Sequence, residues 1–266
     1  MKEYVVKPDS KYKGITTNVC ELPVGTDNSN EAKNKRVLNN LKIYLLDINK
    51  EMTDVWKRFF KDIPNIEIHN SDFNSFMKAH EDIEGIVSPA NSFGLMDGGY
   101  DKAIIDYLGP QAQSNVLTML NLIYYGEQPV GTCLAVPFWK YTILHTPTMR
   151  TPGKILDRTV IYFCMRSVLL TCIKANIKSV VIPAFGGCTG QMDKREIANM
   201  MRLAYEQITN RPKEMDWNSI LRFENYEVTQ HSHAEGYNVN SLNPNFTVYH
   251  EEYKIYSLEG ETHTIA

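Results

Sequence analysis

The sequence predicts a three-layer α/β/α domain built on a mixed central sheet. Three observations carry that expectation. Apolar runs of strand length recur at residues 43–46, 85–87 and 179–183. Between them lie longer stretches whose apolar residues return every three or four positions, the period of a half-buried helix. The two kinds of segment alternate, and parallel strands joined through helices need cover on both faces of the sheet.

Each element follows from its own residues. Residues 1–40 form an N-terminal extension, and 26–35 (TDNSNEAKNK) have no apolar period and read as loop. Residues 43–46 (IYLL) predict a buried strand ending at Asp47. Met52, Val55, Trp56, Phe59 and Phe60 share one helix face, which Pro64 stops. Residues 66–68 (IEI) alternate as a strand, and 73–80 predict a short helix after Asp72. Residues 85–87 lead as a strand into Ser88, Pro89, Ala90 and Asn91. Gly94, Gly98 and Gly99 make a loop, and the next helix is expected over 103–108. Residues 116–125 are apolar on most sides and predict a buried helix, and 130–136 and 142–145 predict two strands.

A long helix is expected over 156–175, with Val160, Phe163, Cys164, Ser167, Val168 and Thr171 as its inward stripe. The strand at 179–183 runs into a second glycine-rich loop. Ile197, Met200, Met201, Ala204, Tyr205 and Ile208 mark an amphipathic helix, and 220–228 offers a last core strand. One domain over 41–228 results. Residues 229–266 form a C-terminal extension in which 246–258 (FTVYHEEYKIYSL) alternate enough for an edge strand, a hairpin or an exposed tail.

Composition excludes several classes. The 266 residues are 43% hydrophobic and 22% charged, enough for a core without disulfide or metal support. A net charge of −3, from 28 basic and 31 acidic side chains, argues against general nucleic-acid binding. No apolar run approaches the roughly 18–20 residues of a spanning helix, so no membrane association is expected. The first residues, MKEYVVKPDS, lack the basic-then-apolar pattern of a secretory signal. The five cysteines are odd in number with no CxxC spacing, which argues against a disulfide framework or zinc knuckle and for a reducing, cytoplasmic compartment.

Ligands of open α/β sheets bind beyond the carboxyl ends of the strands. Two loops fit that place: residues 88–101 (SPANSFGLMDGGYD) and 183–193 (PAFGGCTGQMD). Each follows a Val/Ile strand, is rich in glycine and opens a helix. Such backbone nests suit phosphate oxygens, and two of them suggest a nucleotide diphosphate. Neither loop carries the Gly-Lys-Ser/Thr of a Walker loop, and neither is GxGxxG.

With these residues in view the chain resembles a macrodomain, the ADP-ribose-binding α/β/α family. That family's signature is a strand, Asn-Ala-Ala-Asn, a short spacer, a glycine run, a hydrophobe and often Asp, then a helix. Residues 86–104 (IVSPANSFGLMDGGYDKAI) keep this register without a gap. Residues 69–73 (HNSDF) are similar to the strand that ends in Asp-Ile/Leu, and Ile182, Pro183 and 186–190 to the second phosphate loop. The resemblance covers roughly 41–228 and is nearest the divergent subgroup associated with ADP-ribose-1″-phosphatases and some ADP-ribosylhydrolases.

The resemblance implies that Asp72, with Phe73 beside it, binds adenine. Asn91 would hold the distal ribose, and Gly98, Gly99 and Tyr100 would approach the phosphates and that ribose. Gly186, Gly187, Cys188, Thr189, Gly190 and Gln191 would wrap the pyrophosphate. Asp101 sits where hydrolytic macrodomains place a catalytic aspartate, with Asp97 and Asn91 beside it. Phe223 or Tyr226 would stack on adenine. There are departures: Ser88 replaces the first Asn, Ile105 stands where some hydrolases have His, Gln191 and Met192 replace an aromatic, and Asp97 interrupts the glycine run.

The chemistry fits these residue types. Cleavage at C1″ passes through a cation-like sugar, and a nearby carboxylate orients or deprotonates water and stabilises that charge. Asp97 and Asp101 together would also suit a guanidinium, hence an arginine linkage. Plainer readings stand beside these. Asp101 is a favourable first-turn acid, Asp72 a helix cap, Asn91 a turn closer, and Cys188 a small loop residue. His145 reads as a satisfied core histidine, and His231 with His233 as a poor metal pair. The expected function is an ADP-ribosylhydrolase without a cofactor or metal, acting on ADP-ribose or ADP-ribosylated protein. The alternatives are an ADP-ribose-1″-phosphatase and a non-catalytic ADP-ribose reader.

Overall fold

The computed structural model describes Leu38, residues 40–210 and the backbone of residues 255–256 and 262–263. In chain order the elements are β1 (Lys42–Asp47), α1 (Lys50–Phe59), β2 (Ile66–Asn70), α2 (Phe73–Ala79), β3 (Gly85–Ser88), α3 (Gly99–Leu108), α4 (Gln111–Tyr124), β4 (Leu134–Phe138), β5 (Tyr141–His145), α5 (Thr159–Ala175), β6 (Ser179–Pro183) and α6 (Lys194–Thr209). Two-residue strands β7 (Ile255–Tyr256) and β8 (Thr262–His263) pair antiparallel.

Strands β1 to β6 form one sheet in the order β2-β1-β6-β3-β5-β4. All neighbours run parallel except β4, which is antiparallel to β5. The exception has a local cause. Only Trp139 and Lys140 separate β4 from β5, and Trp139 takes φ +52°, the left-handed conformation a tight hairpin needs. The sheet is therefore mixed, as its sequence predicts.

Alternate residues of the inner strands feed two cores. Ile43, Leu45, Val87, Leu144, Val180 and Ile182 pack beneath α1, α5 and α6. Tyr44, Leu46, Ile86, Ile143 and Val181 pack beneath α2, α3 and α4. Burial on both faces is why these strands read as continuous apolar runs.

Several boundaries depart from the sequence expectation. Helix α3 begins at Gly99 rather than 103, so Gly99, Tyr100 and Asp101 make its first turn. Strand β4 begins at Leu134, because Pro129–Thr132 close a turn through Thr132 Oγ1 donating to the Pro129 carbonyl at 2.7 Å. Helix α5 begins at Thr159, where Asp157 accepts from the Thr159 amide. Its buried stripe is Ile161, Cys164, Met165, Val168, Leu169 and Cys172, and Phe163 is exposed. The helix is apolar on several sides, so sequence period alone set the stripe one residue out of phase.

Helix α4 buries only Ala112, Val116 and Leu120 and leaves Leu122 and Ile123 exposed, since it covers the edge of the sheet on one side. The expected strand at 220–228, the lead-in through 37 and the domain limit at 228 lie outside the described residues.

Candidate functional site

Three helices begin with a side-chain cap. Asn49 accepts from the amides of Glu51 and Met52, Asp72 from that of Ser75, and Asp193 from those of Arg195 and Glu196. Helix α3, like α4 and α5, has no side-chain cap, its N-cap residue being Gly98. The amides of its first turn therefore keep their partial positive charge for something else. Space is available there: a Cβ added at Gly98 or Gly99 would meet nothing within 4 Å. Gly99 also needs φ +56°, which glycine adopts without strain.

Asp101 closes this turn from below. Ser88, the last residue of β3, is fully buried, and its Oγ donates to Asp101 Oδ1 at 2.7 Å. Asp101 is 7% exposed, and burial pushes its carboxyl up to about 7. The Ser88 hydrogen bond pulls the other way, and the charge of Asp97 raises it further. Asp97 itself is exposed on the loop. The expected pair is thus an inward, bonded carboxyl and an outward, solvated one.

Tyr100, packed edge-on against Phe73, has its hydroxyl buried without a partner among the described residues. Burial and the charges of Asp47 and Asp101 push that phenol well above its ordinary range. Asp47, at the carboxyl end of β1, is itself raised by burial.

Asn91 closes its own loop. Its Oδ1 accepts from the amides of Phe93 at 3.0 Å and Leu95 at 3.4 Å, and its Nδ2 donates to the Leu95 carbonyl at 2.7 Å. Its amide is occupied in holding its own loop, the turn-closing alternative. Asp72 caps α2, and its bonds from Ser75 hold its carboxyl below the ordinary range. Phe73 is buried, with its ring edge-on to Tyr100 at 5.2 Å, so it supports the α3 turn from the core.

The second loop divides into packing and open positions. Gly186 takes φ +73°, and a Cβ there would stand 2.8 Å from Ile155 Cδ1. A Cβ on Gly190 would stand 2.7 Å from the same atom. These two glycines are required by packing. Gly187, Cys188, Thr189 and Gln191 are exposed. Among the described residues the amides of Cys188, Thr189 and Gly190 meet no backbone carbonyl, while the Gln191 amide donates to the Cys188 carbonyl. Three adjacent free amides make a nest suited to an anion.

Sequence reasoning missed the segment that joins the two loops. Residues 146–158, between β5 and α5, reach both. Ser92 donates its amide to the carbonyls of Met149 and Arg150, and Ile155 donates to the Gly190 carbonyl at 2.9 Å. Asn91 and Met149 form a parallel bridge. The segment is irregular and polar, so no periodic signal marks it; the lone apolar pair Ile155 and Leu156 was the available clue. Arg150 lies over the Phe93 ring and is bonded to Glu127.

Other predicted residues fall outside this cluster. His145 is fully buried at the end of β5, in register with Ser88, and bonded through Nδ1 to Gln128 at 2.7 Å. Burial lowers it to about 4, so the ring is neutral. Burial pushes Cys133 up to about 11 and Cys164 and Cys172 higher still, which makes them inert thiols. Phe223, Tyr226, His231 and His233 lie outside the described residues. Among the described residues no group of three or more His, Cys, Asp or Glu is placed to hold a metal. No helix among them is long and apolar enough to cross a membrane.

Known proteins share parts of this chain. An uncharacterized protein of Aeropyrum pernix is 26% identical over 121 residues, 46% of this chain and 62% of that relative. One of Aquifex aeolicus is 28% identical over 123 residues, 45% of this chain and 71% of the relative. The chain thus spans under two thirds of the length of the first.

Solved structures that align with it include the macrodomain of Mycobacterium tuberculosis DarG, with 20% identity, TM-score 0.42, 48% of this chain and 84% of that one. The Oceanobacillus iheyensis macrodomain with ADP aligns with 20% identity, TM-score 0.44, 56% of this chain and 86% of that one. The family model of the Macro domain matches residues 87–201, from the end of β3 through both loops and into α6. Residues 87–201 are therefore similar to the Macro domain family, and the strands β1 and β2 that precede the matched segment belong to the same sheet.

Proposed function

We propose that this domain binds ADP-ribose across the two loops and hydrolyses the bond between its distal ribose and a modified protein side chain. The diphosphate would lie between the uncapped start of α3 and the free amides of residues 188–190. Neither nest needs a lysine, since backbone dipoles hold the charge. Adenine would reach Asp72, whose Oδ1 caps α2.

The observation that carries the hydrolytic reading is the buried carboxyl of Asp101 beneath the two open glycines. A carboxyl pushed up to about 7 is matched to taking a proton from water near neutrality. The negative charge of Asp101 would stabilise the cation-like sugar as the bond from C1″ to the modified side chain breaks; Asp101 would then take the proton of the water whose oxygen bonds C1″, and the leaving side chain would take its proton from solvent. Asp97 keeps Asp101 basic through its charge. An arginine linkage is supported less well than other linkages. A guanidinium clamp needs two ionised carboxylates side by side, and Asp101 is turned inward to Ser88.

The test is ADP-ribose release from mono-ADP-ribosylated proteins of different linkages. Wild type should release free ADP-ribose, and Asp101→Asn should bind ADP-ribose but not turn over. Phosphate release from ADP-ribose 1″-phosphate, with no action on modified protein, would select the phosphatase. Tight calorimetric binding with no turnover on any linkage would select the reader.

A further inference from the structure

We propose that Ser88 is a positioning residue for this reaction: its hydroxyl, donated to Asp101 Oδ1, orients the carboxyl so that Oδ2 meets the attacking water. The proposal rests on the hydrolytic reading of Asp101.

The geometry is specific. The bond is 2.7 Å long and joins the last residue of an inner strand to the first turn of a helix. Ser88 cannot easily turn away. It is fully buried, and its carbonyl accepts from the Thr146 amide at 2.9 Å, which continues the β3–β5 pairing. A serine hydroxyl has one proton to donate, and here it goes to Oδ1. Oδ2 has no hydrogen-bond partner among the described residues, although Asp101 retains a small exposure beside Gly98 and Gly99. One oxygen is thus held from within and the other is left for chemistry. A side chain locked by rigid elements is what a proton-transferring group requires.

The charged surroundings make the Ser88 bond count. Asp97 faces the carboxyl from the loop and Tyr100 from α3, with Asp47 beyond Tyr100 at the end of β1. His145, the register neighbour of Ser88 on β5, is neutral, and Lys102 on α3 is turned to Asp106. No cation among these groups offsets the burial of Asp101. The Ser88 hydroxyl is the group that opposes it. Without that donor the carboxyl would hold its proton to higher pH and rotate freely.

The experiment compares pH–rate profiles of ADP-ribosyl-protein hydrolysis for wild type, Ser88→Ala, Ser88→Thr and Asp101→Asn. Ser88→Ala should lower kcat about tenfold at pH 7, with KM within about twofold. Its acid limb should move up by about one pH unit, and the plateau above it should stay below that of the wild type. Ser88→Thr, which keeps the hydroxyl, should restore both rate and midpoint. An unshifted midpoint, or a high-pH plateau equal to that of the wild type, would overturn the positioning role. If Ser88→Ala does not fold, Ser88→Cys keeps the volume with a weaker donor and is read by the same shift. Wild-type turnover by Asp101→Asn would instead refute the catalytic reading on which the proposal stands.

Discussion

Ile155 is joined to Gly190 twice. Its amide donates to the Gly190 carbonyl at 2.9 Å, and its Cδ1 occupies the space a Gly190 Cβ would need. The segment that was least legible in the sequence therefore sets the shape of the second loop.

Gly190→Ala should overpack this contact. An added Cβ at 2.7 Å from Ile155 and 2.8 Å from the Gly186 backbone has no room. Such crowding costs about 1–3 kcal/mol. Thermal melting should fall by several degrees, with ADP-ribose affinity falling alongside.

Gly98→Val should behave in the opposite way. Gly98 has φ −144° and ψ 162°, which any residue adopts, and its Cβ direction is open. Stability should change by less than about 1 kcal/mol. Calorimetry should show ADP-ribose binding weakened by about tenfold or more, because the new side chain stands where the ligand would approach.

Asp101 links stability to pH. Burial pushes its carboxyl up to about 7 in the folded protein, well above the ordinary carboxylate range. The folded state therefore binds the proton more tightly, and its contribution is largest below about pH 4 and is lost as pH rises through 7. The full difference is on the order of 4 kcal/mol. Asp101→Asn, which can still accept from Ser88, should raise the melting temperature at pH 8 and leave it nearly unchanged at pH 4.

As the proposed base, the same group should set the rate profile. A base must be ionised to act, so kcat/KM of the wild type should rise about tenfold per unit below pH 7 and level off above it. A rate that falls across that range would show Asp101 acting as an acid instead.

Tyr100→Phe should not harm the fold. The hydroxyl is buried without a partner among the described residues, and an unsatisfied polar group opposes folding. Removing it should raise the unfolding free energy by about 1 kcal/mol in urea titration. A loss of similar size would show that the hydroxyl is bonded through water to Asp47.

The sheet was legible because its strands are short and apolar and are separated by helices of clear period. Residues 43–46, 85–87 and 179–183 all lie within inner strands. Helix phase was less legible in α5, where apolar residues circle the axis. The first loop was found through its glycines and the register of Asp101. Its most informative contact was not, because Ser88 and Asp101 meet across a strand and a helix, and Ser88 stood out only as a departure from a motif. Asn91 fitted both a ligand and a turn; only the hydrogen bonds of its amide show the turn. The loop at 146–158 carries neither period nor motif, and its role exists only once β3, β5 and β6 lie side by side.

That adjacency has a further consequence. Strands β3 and β6 are hydrogen-bonded neighbours, yet α3, α4, β4, β5 and α5 all intervene between them in the chain. A fragment ending before Ser179 would retain every residue of the first loop, including the glycines, Ser88 and Asp101, and would lack the strand that seats them. The site belongs to the assembled sheet and to neither motif alone. It is assembled only after β3 and β6, far apart in the chain, have paired.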